Sequence, residues 1–141
     1  LTTARDAPLA AIDLVNNFSH SSWAAKPSFP GPGAWLHGGA RALMRRMQAR
    51  QTAVNLFAHD FGVCDAYAGG LEAAVRVTCP ASLILGARDQ MTSPKQTAGL
   101  QSALKARVFS LPAGHALMAE APDQALLALR QAISSAALSN S

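Results

Sequence analysis

Two residues suited to proton chemistry follow two short apolar segments in the second half of the chain. Asp89 lies just beyond the segment 82–85, and His115 lies just beyond the segment 107–111. A carboxylate that accepts a hydrogen bond from one imidazole nitrogen orients the ring and leaves the other nitrogen free to act as a base. Asp89 and His115 are therefore the candidate acid–base pair of this sequence.

Each residue of the pair also has an ordinary structural interpretation. An aspartate in a loop is commonly a turn or capping residue, and a single histidine commonly lies on the surface or in a hydrogen-bonded core. Taken one at a time, neither residue indicates catalysis. Their matched positions, each a few residues past an apolar segment, favour the functional interpretation of the pair.

The segments around the pair are predicted to follow the order strand, helix, strand, helix. Segments 82–85 and 107–111 are bounded by Gly86 and Pro112, and such short apolar runs are typical of strands that are covered on both faces. Ser93, Pro94 and Gln96 give a capping pattern that predicts a helix from 94 to about 104. This order predicts a right-handed crossover between two parallel strands.

Parallel strands would bring Asp89 and His115 to the same edge of a sheet. Functional sites in open α/β sheets gather beyond the carboxyl ends of the strands, and neighbouring strands lie about 5 Å apart. Gly86 and Gly114 allow tight turns next to the two candidate residues. The spacing is compatible with a hydrogen bond between the carboxylate and the imidazole.

The remaining segments are predicted to be mainly helical. One helix is expected near residues 8–18, with Pro8 in its first turn. A second carries an apolar stripe, and a third is expected over about 62–75 with three residues on one face. A last helix follows Pro122. The stripe of the second helix consists of Ala40, Leu43, Met44 and Met47. The residues on the shared face of the third helix are Cys64, Tyr67 and Leu71.

Composition places the chain among globular sequences of about one domain. It has 141 residues, of which 50% are hydrophobic and 14% are charged. No apolar run approaches the roughly 20 residues of a membrane-spanning helix, and the N-terminus lacks the order of a secretion signal. We therefore expect a cytoplasmic protein without a membrane partner. Since the first residue is Leu1, we also expect either that a segment was removed upstream or that the chain begins inside a longer one.

The net charge of +4 comes largely from arginines that are clustered at helical spacing. The cluster could bind nucleic acid or an anionic substrate, or it could be the solvated side of a helix whose Leu and Met residues face a core. The second interpretation is favoured because no aromatic residues interleave with the arginines, so no nucleic-acid partner is expected. The clustered arginines are Arg41, Arg45, Arg46 and Arg50.

Cysteine and histidine spacing gives little support for metal or cofactor binding. Cys64 and Cys79 are expected to be small buried hydrophobes in a reducing compartment, with a disulfide as the less favoured alternative. His20, His37 and His59 lack metal-ligand spacing, and the glycines lack the pattern of a phosphate-binding loop. No cofactor and no metal are therefore expected.

The segments CPASLILGARDQMTSP and LPAGHALMAEAP resemble the C-terminal part of the α/β-hydrolase fold superfamily, over residues 76–135. In that family a strand-Gly-x-x-Asp loop supplies the acid of a nucleophile–His–acid triad, and a later Gly-His supplies the base. The resemblance therefore implies that Asp89 is the acid and that His115 is the general base. Glu120 and Pro122 match residues that commonly follow this histidine in the family.

The resemblance implies an α/β fold class, namely a partial α/β-hydrolase fold. Residues 1–75 would form a helical lid, and residues 76–138 would form a strand-helix-strand-helix parallel unit of the core. The N-terminal half of the core would be absent from this chain. In the lid, large side chains could line a substrate pocket, although a role in the core of the lid is favoured. These side chains are Phe18, Trp23, Trp35 and Met44.

The sequence departs from the family at the nucleophile. No Gly-x-Ser-x-Gly elbow occurs in the chain. His37-Gly38-Gly39 resembles an oxyanion segment only in residue type, because it precedes a lid-like helix and does not follow an early core strand. The resemblance implies a serine hydrolase that acts on an ester, thioester or related carbonyl substrate through a Ser-His-Asp triad, with the serine outside this chain. The 141 residues alone are then expected to be inactive.

Two function classes remain open at the level of sequence. In the first, the chain is part of an enzyme whose partners are a small hydrophobic or carbonyl-containing substrate and the missing N-terminal half of the core. In the second, it is a non-catalytic ligand-binding or interaction module derived from a truncated α/β-hydrolase. A Gly-x-Ser-x-Gly motif in the coding sequence upstream of Leu1 would favour the enzyme.

Overall fold

A computed structural model describes residues 1–20, 34–51 and 53–138 of the chain. The chain divides into a helical unit, Leu1–Ala68, and a mixed unit, Gly69–Ser141. The two candidate residues, Asp89 and His115, both belong to the mixed unit. Among the described residues, no helix is long and apolar enough to span a bilayer.

Local sequence signals explain where two helices of the first unit begin. Pro8 lies in the first turn of the second helix, where its missing N–H costs no hydrogen bond, and the predicted helix over 8–18 is confirmed. Asn55 caps the fourth helix, because its side chain accepts a hydrogen bond from the Ala58 N–H at 3.1 Å. The helices of this unit are α1 Thr2–Asp6, α2 Pro8–Ser19, α3 Ala34–Arg50 and α4 Leu56–Ala66.

The single helix predicted over 62–75 is wrong. Helix α4 ends at Ala66, and a new helix, α5, spans Gly70–Ala74 in the mixed unit. Gly69 between them has a φ of 79°, a left-handed conformation that glycine adopts without steric cost and that interrupts a helix. Cys64, Tyr67 and Leu71 therefore do not share one helical face.

Two expectations about buried side chains are also wrong. Leu43 and Met47 of α3 are 49% and 54% exposed, so this part of the apolar stripe does not face a core. Cys64 and Cys79 are exposed free thiols rather than small buried hydrophobes. Apolar periodicity reports that a helix has an apolar face, whereas burial depends on whether another element covers that face.

The mixed unit confirms the predicted order of strand, helix, strand and helix. Strands β1 Ser82–Gly86 and β2 Arg107–Leu111 pair in parallel, with a register that runs from Ser82 opposite Arg107 to Gly86 opposite Leu111. The fold is thus mixed, with helices and parallel strands. The helices after α5 are α6 Ala98–Leu104, α7 Leu117–Glu120 and α8 Pro122–Leu138.

Helix α6 begins later than the capping pattern predicts. The Gln96 carboxamide oxygen does accept hydrogen bonds from the Ser93 N–H at 2.8 Å and from the Ser93 hydroxyl at 3.1 Å. These bonds close a turn over residues 94–97, and the regular helix starts only at Ala98. The expected start at Pro94 is therefore wrong by four residues, because the capping bonds stabilise a turn and not the first turn of the α-helix.

Small residues hold the core of the mixed unit together. Helix α8 contacts the sheet through alanines, while four of its large side chains remain about half exposed. This leaves an apolar face on α8 that the described residues cover only in part. The core consists of Leu111, Ala113, Ala121 and Ala128 with Ile84, Phe109, Leu117 and Ala125. The exposed side chains of α8 are Leu126, Leu127, Leu129 and Ile133.

Candidate acid–base site

Backbone hydrogen bonds join the loop after β1 to the loop after β2. The Ala87 N–H donates to the Leu111 carbonyl at 2.8 Å, and the Arg88 N–H donates to the Ala113 carbonyl at 2.9 Å. The parallel ladder therefore continues past the ends of both strands. Asp89, the next residue along the chain, therefore lies close to the loop that follows β2.

Gly86 allows the two loops to come this close. A Cβ atom at this position would lie 2.2 Å from the Gly114 carbonyl oxygen and 2.7 Å from that of Ala113. Both contacts are with backbone atoms, which cannot move aside as the end of a side chain can. The glycine at the end of β1 is thus required by the close approach of the backbone that precedes His115.

The structure brings Asp89 and His115 into direct contact. Nδ1 of His115 donates to Oδ2 of Asp89 at 3.0 Å, since a carboxylate can only accept. The proton of the neutral ring therefore lies on Nδ1, and Nε2 keeps its lone pair. Among the described residues, none forms a hydrogen bond with Nε2. This geometry agrees with the expectation that the carboxylate and the imidazole lie within hydrogen-bond distance.

The two partners differ in their exposure to solvent. The side chain of Asp89 is 7% exposed, whereas that of His115 is 41% exposed. A buried acceptor holds the ring firmly, and an exposed ring can reach a substrate. This division matches what an orienting acid and a general base require.

The carboxylate of Asp89 is held by more than the imidazole. Its Oδ1 accepts from the backbone N–H groups of Met91 at 2.8 Å and of Thr92 at 3.0 Å, and its Oδ2 accepts from the Thr92 hydroxyl at 2.9 Å. Burial raises the pKa of Asp89, but the bonds from Thr92, His115 and Met91 outweigh it and lower the pKa below its ordinary value. Asp89 is therefore a carboxylate at neutral pH.

We expect acid to weaken the mixed unit through Asp89. Because the pKa is lower in the fold than in the unfolded chain, this contribution to stability is complete above the ordinary value of 3.8 and is lost as the pH falls through the folded pKa. Urea unfolding at about pH 5 and about pH 3 measures it. The stability advantage of the unaltered chain over Asp89→Asn should shrink at the lower pH, and an unchanged difference would contradict the expectation.

Glu120 holds the loop that carries His115. Its Oε1 accepts a hydrogen bond at 3.1 Å from the N–H of Gly114, the residue before the histidine. Glu120 is the last residue of α7, so this short helix anchors the loop at the residue before His115. Sequence comparison with the hydrolase pattern identified Glu120 by position but gave no contact for it.

Thr92 is the site residue that sequence reasoning missed. It contacts Asp89 through its backbone and its hydroxyl, and its Oγ1 lies 3.4 Å from Nδ1 of His115. A loop aspartate commonly accepts backbone hydrogen bonds in an Asx-type turn, so the type and position of Asp89 were a signal for the backbone contact. The hydroxyl at this position had no signal of its own.

A second histidine–aspartate contact lies in the helical unit and has a different character. Nδ1 of His59 lies 2.9 Å from Oδ1 of Asp60, close to the separation found in the candidate pair. The two residues are consecutive in α4, and their side chains are 63% and 72% exposed. Such a pair is a surface contact with little energetic weight, and it provides a natural control for the buried pair.

The helical unit also contains a buried polar cluster. Nδ2 of Asn16 donates to Nδ1 of His37 at 3.1 Å and to the His37 carbonyl at 2.9 Å. Nε2 of His37 then donates to Oδ1 of Asn17 at 2.9 Å. Both ring nitrogens of His37 are therefore engaged inside the unit.

We expect His37 to make the stability of the helical unit depend on pH. Burial, together with the charges of His20 and Arg41, lowers the pKa of His37 despite the opposing effect of Asp13. Stability is then complete above the ordinary value of 6.5 and is lost as the pH falls toward the folded pKa, because the unfolded chain takes up the proton first.

Urea unfolding at about pH 7.5 and about pH 5.5 tests this expectation about His37. The unaltered chain should lose stability relative to His37→Gln at the lower pH. The His59→Gln variant serves as the control, because it removes an exposed histidine of the same unit. Equal pH dependence in His37→Gln and the unaltered chain would show that protonation of His37 has no effect.

The other residues singled out from the sequence add no chemistry to the site. Phe18 is 45% exposed and Met44 is half-buried, both in the helical unit. Trp23 and the side chain of Trp35 lie outside the described residues, so both their favoured role in the core of the lid and the alternative of a substrate pocket stay predictions. In the part of the chain that the structure describes, no group of three or more His, Cys, Asp or Glu residues could hold a metal ion.

The groups described so far can therefore support one kind of chemistry, namely proton transfer. An oriented imidazole with a free Nε2 can accept a proton from a nucleophile or a water molecule and return it to a leaving group. Among the described residues, the hydrogen-bond partners of His115 are Asp89 and Thr92. Comparisons with protein-family models, with curated proteins and with solved structures give no match for this chain.

Proposed function

We propose that the Asp89–His115 pair is the acid–base part of a serine hydrolase site. The observation that supports this proposal is the 3.0 Å bond between a 7% exposed carboxylate and an imidazole whose Nε2 has no hydrogen-bond partner among the described residues. A surface pair such as His59–Asp60 lacks that burial. The substrate class is an ester, thioester or related carbonyl compound.

In the proposed reaction, Nε2 of His115 takes the proton of a serine hydroxyl as the serine oxygen attacks the carbonyl carbon. The resulting imidazolium donates that proton to the leaving group, and a water molecule hydrolyses the acyl–serine ester by the same two transfers. Asp89 holds Nδ1–H throughout and stabilises the positive charge of the ring. The serine and the backbone amides that stabilise the oxyanion belong to a segment outside these 141 residues.

The proposal extends to the fold family. The sequence resemblance to the α/β-hydrolase superfamily and the parallel order β1, α6, β2, α8 support residues 76–138 as the C-terminal part of such a core. Residues 1–75 are then proposed as a helical lid, which the described helices α1 to α4 support. A further core segment would pair with the sheet beside β1 and supply the nucleophile.

The test uses the coding sequence upstream of Leu1. A longer chain that carries a Gly-x-Ser-x-Gly elbow should be labelled by a serine-directed fluorophosphonate, and His115→Ala should abolish the labelling. The 141-residue chain should not be labelled. Stoichiometric labelling of that short chain, or unchanged labelling of the longer chain after His115→Ala, would contradict the proposal.

A second candidate function is a non-catalytic interaction module. The observation that favours it is the exposed apolar face of α8, where Leu126, Leu129 and Ile133 are 49%, 49% and 63% exposed. Monomeric proteins rarely leave such a patch uncovered. An in-frame stop upstream of Leu1, with no serine elbow on any chain that copurifies, would favour this candidate over the hydrolase.

A further inference from the structure

We infer that Thr92 is a positioning residue that fixes the tautomer of His115 through its side-chain hydroxyl. The inference rests on the proposed function for its catalytic meaning, because a base is useful only if Nε2 carries the lone pair. Its physical content is independent of any reaction. The hydroxyl of Thr92 lies 2.9 Å from Oδ2 of Asp89 and 3.4 Å from Nδ1 of His115, so it closes a triangle with the pair.

The hydrogen bonds of this triangle have fixed directions. The carboxylate can only accept, so the one proton of the Thr92 hydroxyl is donated to Oδ2 of Asp89. The lone pairs of Oγ1 are then left toward Nδ1 of His115. Two oxygens with acceptor character therefore face Nδ1, one at 3.0 Å and one at 3.4 Å.

This environment selects one form of the neutral ring. With the proton on Nδ1, the N–H is directed to Oδ2 and shared weakly with Oγ1. With the proton on Nε2, Nδ1 would find a donor only if the Thr92 hydroxyl turned away from Oδ2, and Asp89 would then lose that hydrogen bond. Thr92 thus adds to the preference that Asp89 creates for the tautomer with a free Nε2.

Thr92 also prevents rotation of the carboxylate. Its backbone N–H holds Oδ1 while its hydroxyl holds Oδ2, so both oxygens of Asp89 are fixed by one residue. Without the hydroxyl, His115 would be the only described residue that forms a hydrogen bond with Oδ2. A β-branched side chain suits this role, because it restricts the rotamer in which Oγ1 faces the pair.

Isotope-detected NMR of the full 141-residue chain tests the inference. With ¹⁵N-labelled histidine, the shifts of the two ring nitrogens report the tautomer of neutral His115, and His115→Ala assigns the signal. Thr92→Val keeps the shape of the side chain and removes the hydroxyl. Thr92→Ser keeps the hydroxyl and provides the rescue.

Thr92→Val should shift the tautomer ratio of His115 toward the Nε2–H form by about two- to ten-fold, the effect of one neutral hydrogen bond. It should also raise the pKa of Asp89, because the carboxylate loses a donor. Thr92→Ser should retain the tautomer ratio of the unaltered chain. The matched control is Thr97→Val, which removes a threonine hydroxyl that donates to the Pro94 carbonyl at 2.9 Å and does not contact the pair.

Two results would overturn the inference: an unchanged tautomer ratio in Thr92→Val, or a Thr92→Ser variant that behaves like Thr92→Val. If Thr92→Val does not fold, the unaltered chain decides the question. A nuclear Overhauser effect between the Thr92 side chain and the His115 ring supports the contact, and its absence refutes it.

The result is separable from the outcome of the hydrolase test. A tautomer shift in Thr92→Val without fluorophosphonate labelling of the longer chain would show that the positioning is real and that the proposed function is wrong. Labelling that depends on His115, together with an unchanged tautomer, would show that the function holds and that Thr92 plays no part in it.

Discussion

In a chain that carries both the pair and the proposed serine, His115→Ala should lower kcat by about 10⁵- to 10⁶-fold. The substitution removes the imidazole that accepts the serine proton. Asp89→Asn should lower it by about 10⁴-fold, since a carboxamide can donate to Nδ1 and so favours the wrong tautomer. Kinetics with a short-chain ester measure both effects. The pKa of Asp89 lies below its ordinary value, so the acid form plays no part near neutral pH.

The control for both substitutions is the exposed pair in α4. His59→Ala removes an imidazole that also lies 2.9 Å from a carboxylate but is 63% exposed. It should leave kcat unchanged within about two-fold, the range of a surface substitution. A large loss in His59→Ala, or a loss of less than about 100-fold in His115→Ala, would show that the buried pair is not the acid–base group.

Gly86→Ala should destabilise the mixed unit by at least about 1–3 kcal/mol, the usual cost of overpacking. The added Cβ would lie 2.2 Å from the Gly114 carbonyl oxygen and 2.9 Å from its carbonyl carbon. Relief requires that the two loops separate, which would also lengthen the bond between Asp89 and His115. Urea unfolding measures the loss of stability, and the ¹⁵N shifts of His115 report the change at the site.

The matched control is Gly62→Ala in α4. Gly62 has nothing within 4 Å of the added Cβ, so the substitution replaces a poor helix former by the best one. It should stabilise the helical unit by roughly 0.5–1 kcal/mol. Equal stability of Gly86→Ala and the unaltered chain would show that the close approach of the two loops is not a steric constraint.

Sequence reasoning was most successful where local signals and tertiary packing agree. The segments of β1 and β2 are short, apolar and bounded by Gly86 and Pro112, so their positions and their parallel order follow from the pattern. Asp89 and His115 could be paired for the same reason. The carboxyl ends of parallel strands meet at one edge of a sheet, and the register of this sheet aligns Gly86 with Leu111.

The errors occur where burial or backbone conformation decides the outcome. The break at Gly69 depends on a positive φ, and a glycine pair in the sequence lowers helix propensity without specifying that angle. Cys64 and Leu43 are exposed because no described element covers them, and an apolar residue type does not report its neighbours. The contacts of Thr92 depend on loop geometry, which periodicity does not encode.

The contact between Asp89 and His115 depends on the register of β1 and β2. If β1 slipped by one residue along β2, its side chains would change faces, and a slip of two residues would shift it by about 6.6 Å. Either displacement is larger than a hydrogen bond can tolerate. The separation between the His115 ring and the Asp89 carboxylate therefore depends on Ser82 lying opposite Arg107, and a slip of β1 should change the ring signal of His115.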